Sequence, residues 1–482
     1  MKRILIYTIV IISLLAASCD KDFLNQTPDD VISQDLVTGS VDKLNRLLTG
    51  SYNEVSSPNY LGRLLQKRAA VKSTDFRFVQ TIYNPRNYEL IEYRYEESPN
   101  NNGGAADLWQ QCYKVIGNLN LILSHIDQAE GDEVLAKQIK AQAYALRAMV
   151  YFDLVRTFAY PWIRAGGSSQ GLPLVLIPGQ TSSTRSSLEE TFSQILSDFQ
   201  LAETLIQENT FTEGISKYIT KTAIYALRAR VYLYKQDWNN ALLDADKVFS
   251  VIPESRLMSS ENYGLTDFNS ESIFELSVNE DNSSGSNGLG AQFDFHNGGQ
   301  GDVLATNSFV KLLTEYPGDP RVKLLADDKE GRQNSFIKYV NRAGGTGLSM
   351  HNIPVIRLSE VYLIAAEACA NGAKGGELHA LRYLNALVAR RTDDFQSYKA
   401  TESGSALLRR IYKERRKELA LEGHEIYDLI RTGRDIVRVQ DEHVNTGINS
   451  NNLTIKTDSP KTIYPIPAAE IAATGMSQTE GY

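Results

Sequence analysis

The sequence predicts a mainly α protein: tetratricopeptide-like helical hairpins forming an irregular α-α superhelix, with long aperiodic loops and a few short strands. Three observations lead there. Apolar residues recur at helical spacing through much of the chain. Neighbouring periodic stretches are joined by short polar linkers. One stretch, "ARVYLYKQDWNNALLDADKVFSVIP", places small and aromatic residues at the spacing of a tetratricopeptide hairpin.

Taken in order, the chain opens with Lys2 and Arg3, an apolar stretch from Ile4 to Leu15, and the small residues Ala16, Ala17 and Ser18 before Cys19. The apolar stretch is shorter than the roughly 20 residues a membrane span needs. Small residues leading into a cysteine form the pattern of a bacterial lipoprotein signal, with the thiol acylated and Cys19 as the mature N-terminus. Ala16 departs from that pattern, which usually has leucine there; Leu15 stands one place early. The expected division is a signal peptide over 1–18, a tether over 19–35 and one α domain over 36–482. Its helical-repeat part spans about 36–255 and its C-terminal part about 271–482.

Val115, Ile116, Leu119, Ile122, Leu123 and Ile126 share one helical face, as do Ile139, Ala143, Leu146, Val150 and Leu154 in the next segment. "DQAEGDEV" between them is short and polar enough to reverse the chain. A similar pair is expected over roughly 188–208 and 218–235, and a further helix from Asp237. In the tetratricopeptide-like stretch, Ala229, Ala241 and Ala245 let two helices approach. Tyr232 and Trp238 fill the gap, and Pro253 stops the second helix. Trp109 and Trp238 are expected in the core. Strands are expected at 271–278, 335–340 and "TIYPIP" near the end. Arg77 to Asp107 and Asn279 to Val303 show no periodicity, and aperiodic segments of that length are usually functional or disordered.

The 482 residues are 42% hydrophobic, a globular proportion, and carry a formal net charge of −8 without a long basic run. Nucleic-acid binding needs clustered Lys and Arg, so it is not expected. Besides Cys19 there are only Cys112 and Cys369. An exported protein could pair them, but both fall in expected helices among apolar neighbours and read as two buried free thiols. The count rules out a disulfide framework and a four-ligand zinc site. No metal site, cofactor or catalytic residue is expected. "GSSQG" at 167–171 matches G-x-S-x-G without the strand–turn–helix context of a nucleophile elbow. "GHEIYD" has Asp428 where a zincin needs its second histidine. Spacing does not test for a glycosidase pair, because the fold sets such pairs. In "LLRRIYKERRKELALEGHEIYDLIRTG" a continuous helix would carry Arg415, Glu418 and Glu422 into the buried face, where charges must be paired. Arg415 with Glu418, and Asp428 with Arg431, are the natural local pairs of a structural ion network.

The order of several segments resembles the SusD/RagB family of Bacteroidetes surface lipoproteins. They are "CDKDFLNQTP", "ALRAMVYFDLVRTFAYPW", "TKTAIYALRARVYLYKQDWNNAL", "PVIRLSEVYLIAAEACA", "LNALVARR", "ERRKELALEGHEIYDLIR", "YPIPAAEI" and the terminal "QTEGY". One departure is Glu425, where the family commonly has arginine. The resemblance implies a tetratricopeptide-like protein tethered through lipid on Cys19 to the outer membrane and facing outward. Asp20 and Asp22 stand as its surface-directing acidic tract. It implies a TonB-dependent outer-membrane transporter as partner, an oligosaccharide or another nutrient such as a peptide as ligand, and no catalysis. Sugar binding calls for aromatic faces beside paired donors and acceptors. The aperiodic loops offer Tyr83, Arg86, Asn87, Tyr88, Tyr93 and Tyr95 from the first, and Phe293, Phe295, His296 and Asn297 from the second. A ligand-free helical scaffold is the other reading of the same architecture.

Overall fold

The computed structural model describes residues 38–78, 87–207, 217–264, 266–293, 298–327, 333–339, 341, 347–443 and 446–482. Its long helices are α1 (Val41–Val55), α2 (Leu64–Val71), α3 (Asn87–Arg94), α4 (Ala105–His125), α5 (Glu133–Phe158), α6 (Leu188–Leu205), α7 (Lys221–Tyr234) and α8 (Trp238–Val251). The C-terminal part adds α9 (Leu289–Phe293), α10 (Asn307–Leu313), α11 (Leu358–Ala370), α12 (Gly376–Val388), α13 (Gly404–Glu418) and α14 (Glu425–Arg431).

Helix starts follow local side-chain chemistry. Asp132 accepts from the backbone N–H groups of Val134 and Leu135, and Ser187 with Glu190 forms a capping box at α6. Thr220 and Asp237 cap α7 and α8 in the same way. The hairpin read from the sequence is α7–α8, with Ala229, Ala241 and Ala245 all fully buried. Trp109 lies in the core at 4% exposure, whereas Trp238 is only half-buried at the start of α8.

The helices pack in a row: α4 on α5, α5 on α6, α7 on α8, α8 on α11 and α11 on α12. On α5, Ala141, Ala143, Ala145 and Ala148 are fully buried, and their small side chains let both neighbours come close. A fully buried leucine such as Leu146 adds about 2 kcal/mol. Buried ion pairs link the row. Arg147 of α5 grips Asp198 of α6 through two bonds of 2.7 Å, and Arg230 of α7 grips Glu360 of α11 at 2.7 and 2.6 Å.

Strands β2 (Ser272–Leu276) and β6 (Ile353–Arg357) pair antiparallel. That pairing closes off the long segment between them, so that α11 packs on α8 as though it followed directly. The enclosed segment carries α9, α10 and most of a second sheet. Its strands β1 (Phe76–Phe78), β3 (Val303–Ala305), β4 (Leu325–Ala326) and β5 (Ser335–Phe336) lie in the order β1-β3-β5-β4. Short strands β7 (Ile436–Val437) and β8 (Thr454–Ile455) form a separate pair.

Two expectations are corrected here. "TIYPIP" is not a strand: the Tyr464 N–H goes to the Thr157 carbonyl at the end of α5, and Ile466 exchanges bonds with the Gln478 amide. The aperiodic segments also contain helices, α3 in the first and α9 in the second; at eight and five residues these are too short for periodicity to show. Cys112 and Cys369 are buried free thiols.

Candidate functional site

Three expected ligand-contacting rings are buried in the structure. Tyr93 sits on the inner side of α3, its hydroxyl hydrogen-bonded to His443 Nδ1 and its ring 6.0 Å from that of Phe78. Tyr95 follows α3 at φ +57°, donates its hydroxyl to the Lys72 carbonyl, and lies between the Lys72 ammonium and the Arg438 guanidinium, 4.6 and 4.7 Å from its centroid. Phe293 ends α9 stacked on Tyr339 at 6.2 Å. At 0 to 1% exposure these three rings leave no face open to a sugar and act as packing residues. Tyr83, Arg86, Phe295, His296 and Asn297 lie outside the described residues, as do the side chains of Asn87 and Tyr88.

The structure does show where those segments begin and end, and the ends converge. Phe78, the last residue of β1 before 79–86, is paired with Val303 of β3. Strand β3 follows closely on 294–297, and α9 precedes it directly. Lys67, buried on α2, ties the ends together. Its Nζ lies 2.9 Å from Gln292 Oε1 of α9, 2.9 Å from Glu89 Oε2 of α3 and 3.3 Å from Asp302 Oδ1, beside the Phe78 ring. Burial alone would lower the Lys67 pKa, but Asp302 and Glu89 outweigh it and hold the ammonium charged. One cation faces two carboxylates, and burial raises the Asp302 carboxyl against the pull of Lys67.

Helix α9 is held from its other side. The Gly290 N–H donates to His351 Nε2 and the Ala291 N–H to Ser349 Oγ, both at 3.0 Å. A Cβ at Gly290 would lie 2.5 Å from His351 Nε2, so only glycine admits the imidazole there. Sequence reasoning missed Lys67, Glu89, Gln292 and Asp302. Lys67 and Gln292 are 225 residues apart, and the one local signal is a run of charge, "QKR", inside an otherwise apolar short helix.

Of the two local pairs expected in the charged C-terminal cluster, Asp428 with Arg431 forms and Arg415 with Glu418 does not. Helix α13 ends at Glu418, and the chain turns through Leu421 at φ +62° before α14. Arg415 therefore reaches Asp428, at 3.0 and 3.2 Å, rather than Glu418. Asp428 also accepts from Arg431 at 2.7 Å. Burial would raise the Asp428 pKa, yet Arg415 and Arg431 hold it well below the usual carboxylate range. Glu418 accepts from Arg391 twice at 2.9 Å, from Arg357 at 3.2 Å and from Arg321 at 3.3 Å. Glu422 accepts from Arg357 and Lys338. Glu425, buried, accepts the Leu421 and His424 N–H groups, and burial raises its pKa to about 7. Every charge of this cluster is directed at another protein group, and among the described residues no group of three or more His, Cys, Asp or Glu could hold a metal ion. No helix among them is long and apolar enough to cross a membrane.

Two family models match the chain: one described as starch-binding and associating with the outer membrane, over residues 22–233, and that of the SusD family, over 294–482. SusD-like protein P2 of Formosa agariphila is 24% identical over 89% of this chain and 91% of its own. A SusD superfamily protein of Bacteroides thetaiotaomicron is 28% identical with a TM-score of 0.82, covering 91% of this chain and 99% of that one. A solved Bacteroides vulgatus protein is 30% identical with a TM-score of 0.81, covering 92% and 99%. In architecture and in sequence along nearly its whole length, the chain belongs to the SusD/RagB family.

Proposed function

We propose that the protein captures oligosaccharides outside the cell and delivers them to a TonB-dependent outer-membrane transporter, over which it closes as a lid. The observation that carries this is the convergence of the two aperiodic segments on one sheet, where Lys67 bonds to α9 and to Asp302 and makes an ion pair with Glu89 of α3. Residues 79–88 and 294–297 then act on one ligand. Tyr83, Tyr88 and Phe295 supply faces for sugar rings, and Arg86, Asn87, His296 and Asn297 supply donors and acceptors for hydroxyls. A family described as starch-binding and associating with the outer membrane supports the carbohydrate ligand and the outer-membrane location. Lipid on Cys19, followed by the 19–35 tether, supplies the anchor.

Calorimetry with the chain from residue 20 onward, against panels of oligosaccharides and peptides, tests it. A glycan should bind, and Tyr88→Ala or Phe295→Ala should each weaken it about tenfold with the melting temperature unchanged. Binding confined to peptides would refute the carbohydrate part, and no binding in either panel would favour a scaffold. In cells, Cys19→Ala should abolish acyl labelling; retained labelling would refute the anchor.

A further inference from the structure

A large groove has no residue of the loop-bearing sheet among its lining residues. It encloses about 870 Å³ between the outer face of α13, the end of α14, and the α7–α8 turn with Trp238. A concave volume in the range of about 300–1,000 Å³ suits a small ligand. Protein partners dock on broader patches of about 800 Å² per side.

Its charge is unusual for this acidic chain. Arg409, Arg410, Lys413, Arg416, Arg431 and Arg434 line it, against Glu315, Glu367 and Glu402. Most of these are paired off. Arg431 holds Glu367 at 2.6 and 2.7 Å, Lys413 holds Glu315 at 2.8 Å, Arg410 lies 3.7 Å from Glu402, and Arg416 turns to Asp75 outside the groove. Two guanidiniums remain without a carboxylate partner among the described residues. Arg409 is exposed and reaches only the Ser405 hydroxyl at 3.1 Å. Arg434 bonds the Thr432 hydroxyl and the Asp428 carbonyl and lies 4.3 Å over the Tyr412 ring. Burial lowers its pKa, with Asp428 only partly offsetting. Beside these cations stands Trp238, half-buried, with Gln236 at φ +60° in the turn before it.

Another groove, about 540 Å³ along α4, lacks free groups of this kind among the described residues. Tyr113 donates to the Pro173 carbonyl, Asn120 to that of Val175, and Gln180 Oε1 accepts from the Leu176 and Ile177 N–H groups.

The geometry points to a binding site for an acidic oligosaccharide, one bearing carboxylate or sulfate groups, in the α13 groove. Guanidiniums bond carboxylate and sulfate oxygens through charge-assisted pairs, and an indole offers a flat face to a sugar ring. Six cations against three carboxylates in the lining leave an excess of positive charge that favours an anionic ligand. The site stands apart from the loop face and does not depend on it.

Calorimetry on the full chain in detergent micelles, with tetragalacturonate, maltotetraose and tetraglutamate as probes, decides the matter. Tetragalacturonate should bind more tightly than either of the others and lose affinity as salt shortens the screening length. Arg409→Gln should weaken it about tenfold, and Trp238→Ala should do the same, while Tyr88→Ala leaves it unchanged. Arg409 is on the surface, so its result decides even where Trp238→Ala lowers the melting temperature. Equal binding of tetraglutamate would make this a site for acidic peptides and overturn the proposal. So would unchanged binding in Arg409→Gln, loss of binding in Tyr88→Ala, or no binding of tetragalacturonate.

Discussion

Replacing Glu418 with glutamine keeps the shape of the side chain and removes the charge on which three arginines converge. In the folded protein its two oxygens accept four bonds of 2.9 to 3.3 Å from Arg391, Arg357 and Arg321, with no solvent contact. Glutamine retains one acceptor and turns an amide donor toward guanidinium donors. Removing one partner of a buried ion cluster costs about 3–5 kcal/mol, because the remaining charges stay buried and under-compensated. At roughly 2.1 cal/mol/K per residue, a 482-residue chain unfolding as one unit has an unfolding entropy near 1 kcal/mol/K. The expected fall in melting temperature is therefore about 3–5 °C by calorimetry at pH 7. Glu402→Gln, at a side chain 34% exposed and 3.7 Å from Arg410, should shift it by less than about 1 °C. The pH dependence has a definite sign. Burial opposes ionisation of Glu418, but the arginines outweigh it and hold its folded pKa well below 4.5. Its stabilisation is fully present above the unfolded pKa and fades as pH falls toward the folded value. The gap between the native protein and E418Q should therefore narrow below about pH 4.5. A fall under about 1 °C at pH 7, or a gap that widens in acid, would refute the reasoning.

Glu425 should behave in the opposite way: burial raises its folded pKa to about 7, so its ionisation favours the unfolded chain. Stability relative to Glu425→Gln should decline as pH rises from about 4.5 to 7 and then level off, in melting scans across that range; a constant difference would contradict the assignment. Burial also raises the thiol pKa of Cys112 well above its ordinary value and that of Cys369 to about 11. The chain from residue 20 should show no thiol reacting with a disulfide reagent at pH 8 and two after denaturation; rapid native labelling would show that one is exposed. Ser187→Ala removes the capping box of α6 and should cost about 1 kcal/mol, read from denaturant midpoints; an unchanged midpoint would mean that the cap contributes nothing.

Much of the helical row was legible because its signals are local. The periodic apolar faces of 115–126 and 139–154 and the small-residue spacing of the α7–α8 hairpin each act within a turn or two. Tyr93 and Tyr95 were misread because α3 is too short to display a period, so a packed helix passed for a binding loop. The ion network was misread where local pairing looked sufficient. The backbone turn at Leu421 sends Asp428 back to Arg415, while Glu418 is left to arginines 27 to 97 residues distant. No local pattern encodes such partners. The Lys67 contacts were invisible for the same reason, with pairing between α2 and α9 arising only once β1 and β3 meet.

The central claim is that two distant stretches of chain grip one glycan together. Hydrogen–deuterium exchange, with and without a saturating oligosaccharide found to bind, measures this directly. The account predicts that amides in 79–88 and in 294–297 slow together on addition of the sugar. Protection in one segment alone, or in neither while the sugar is bound, would contradict it.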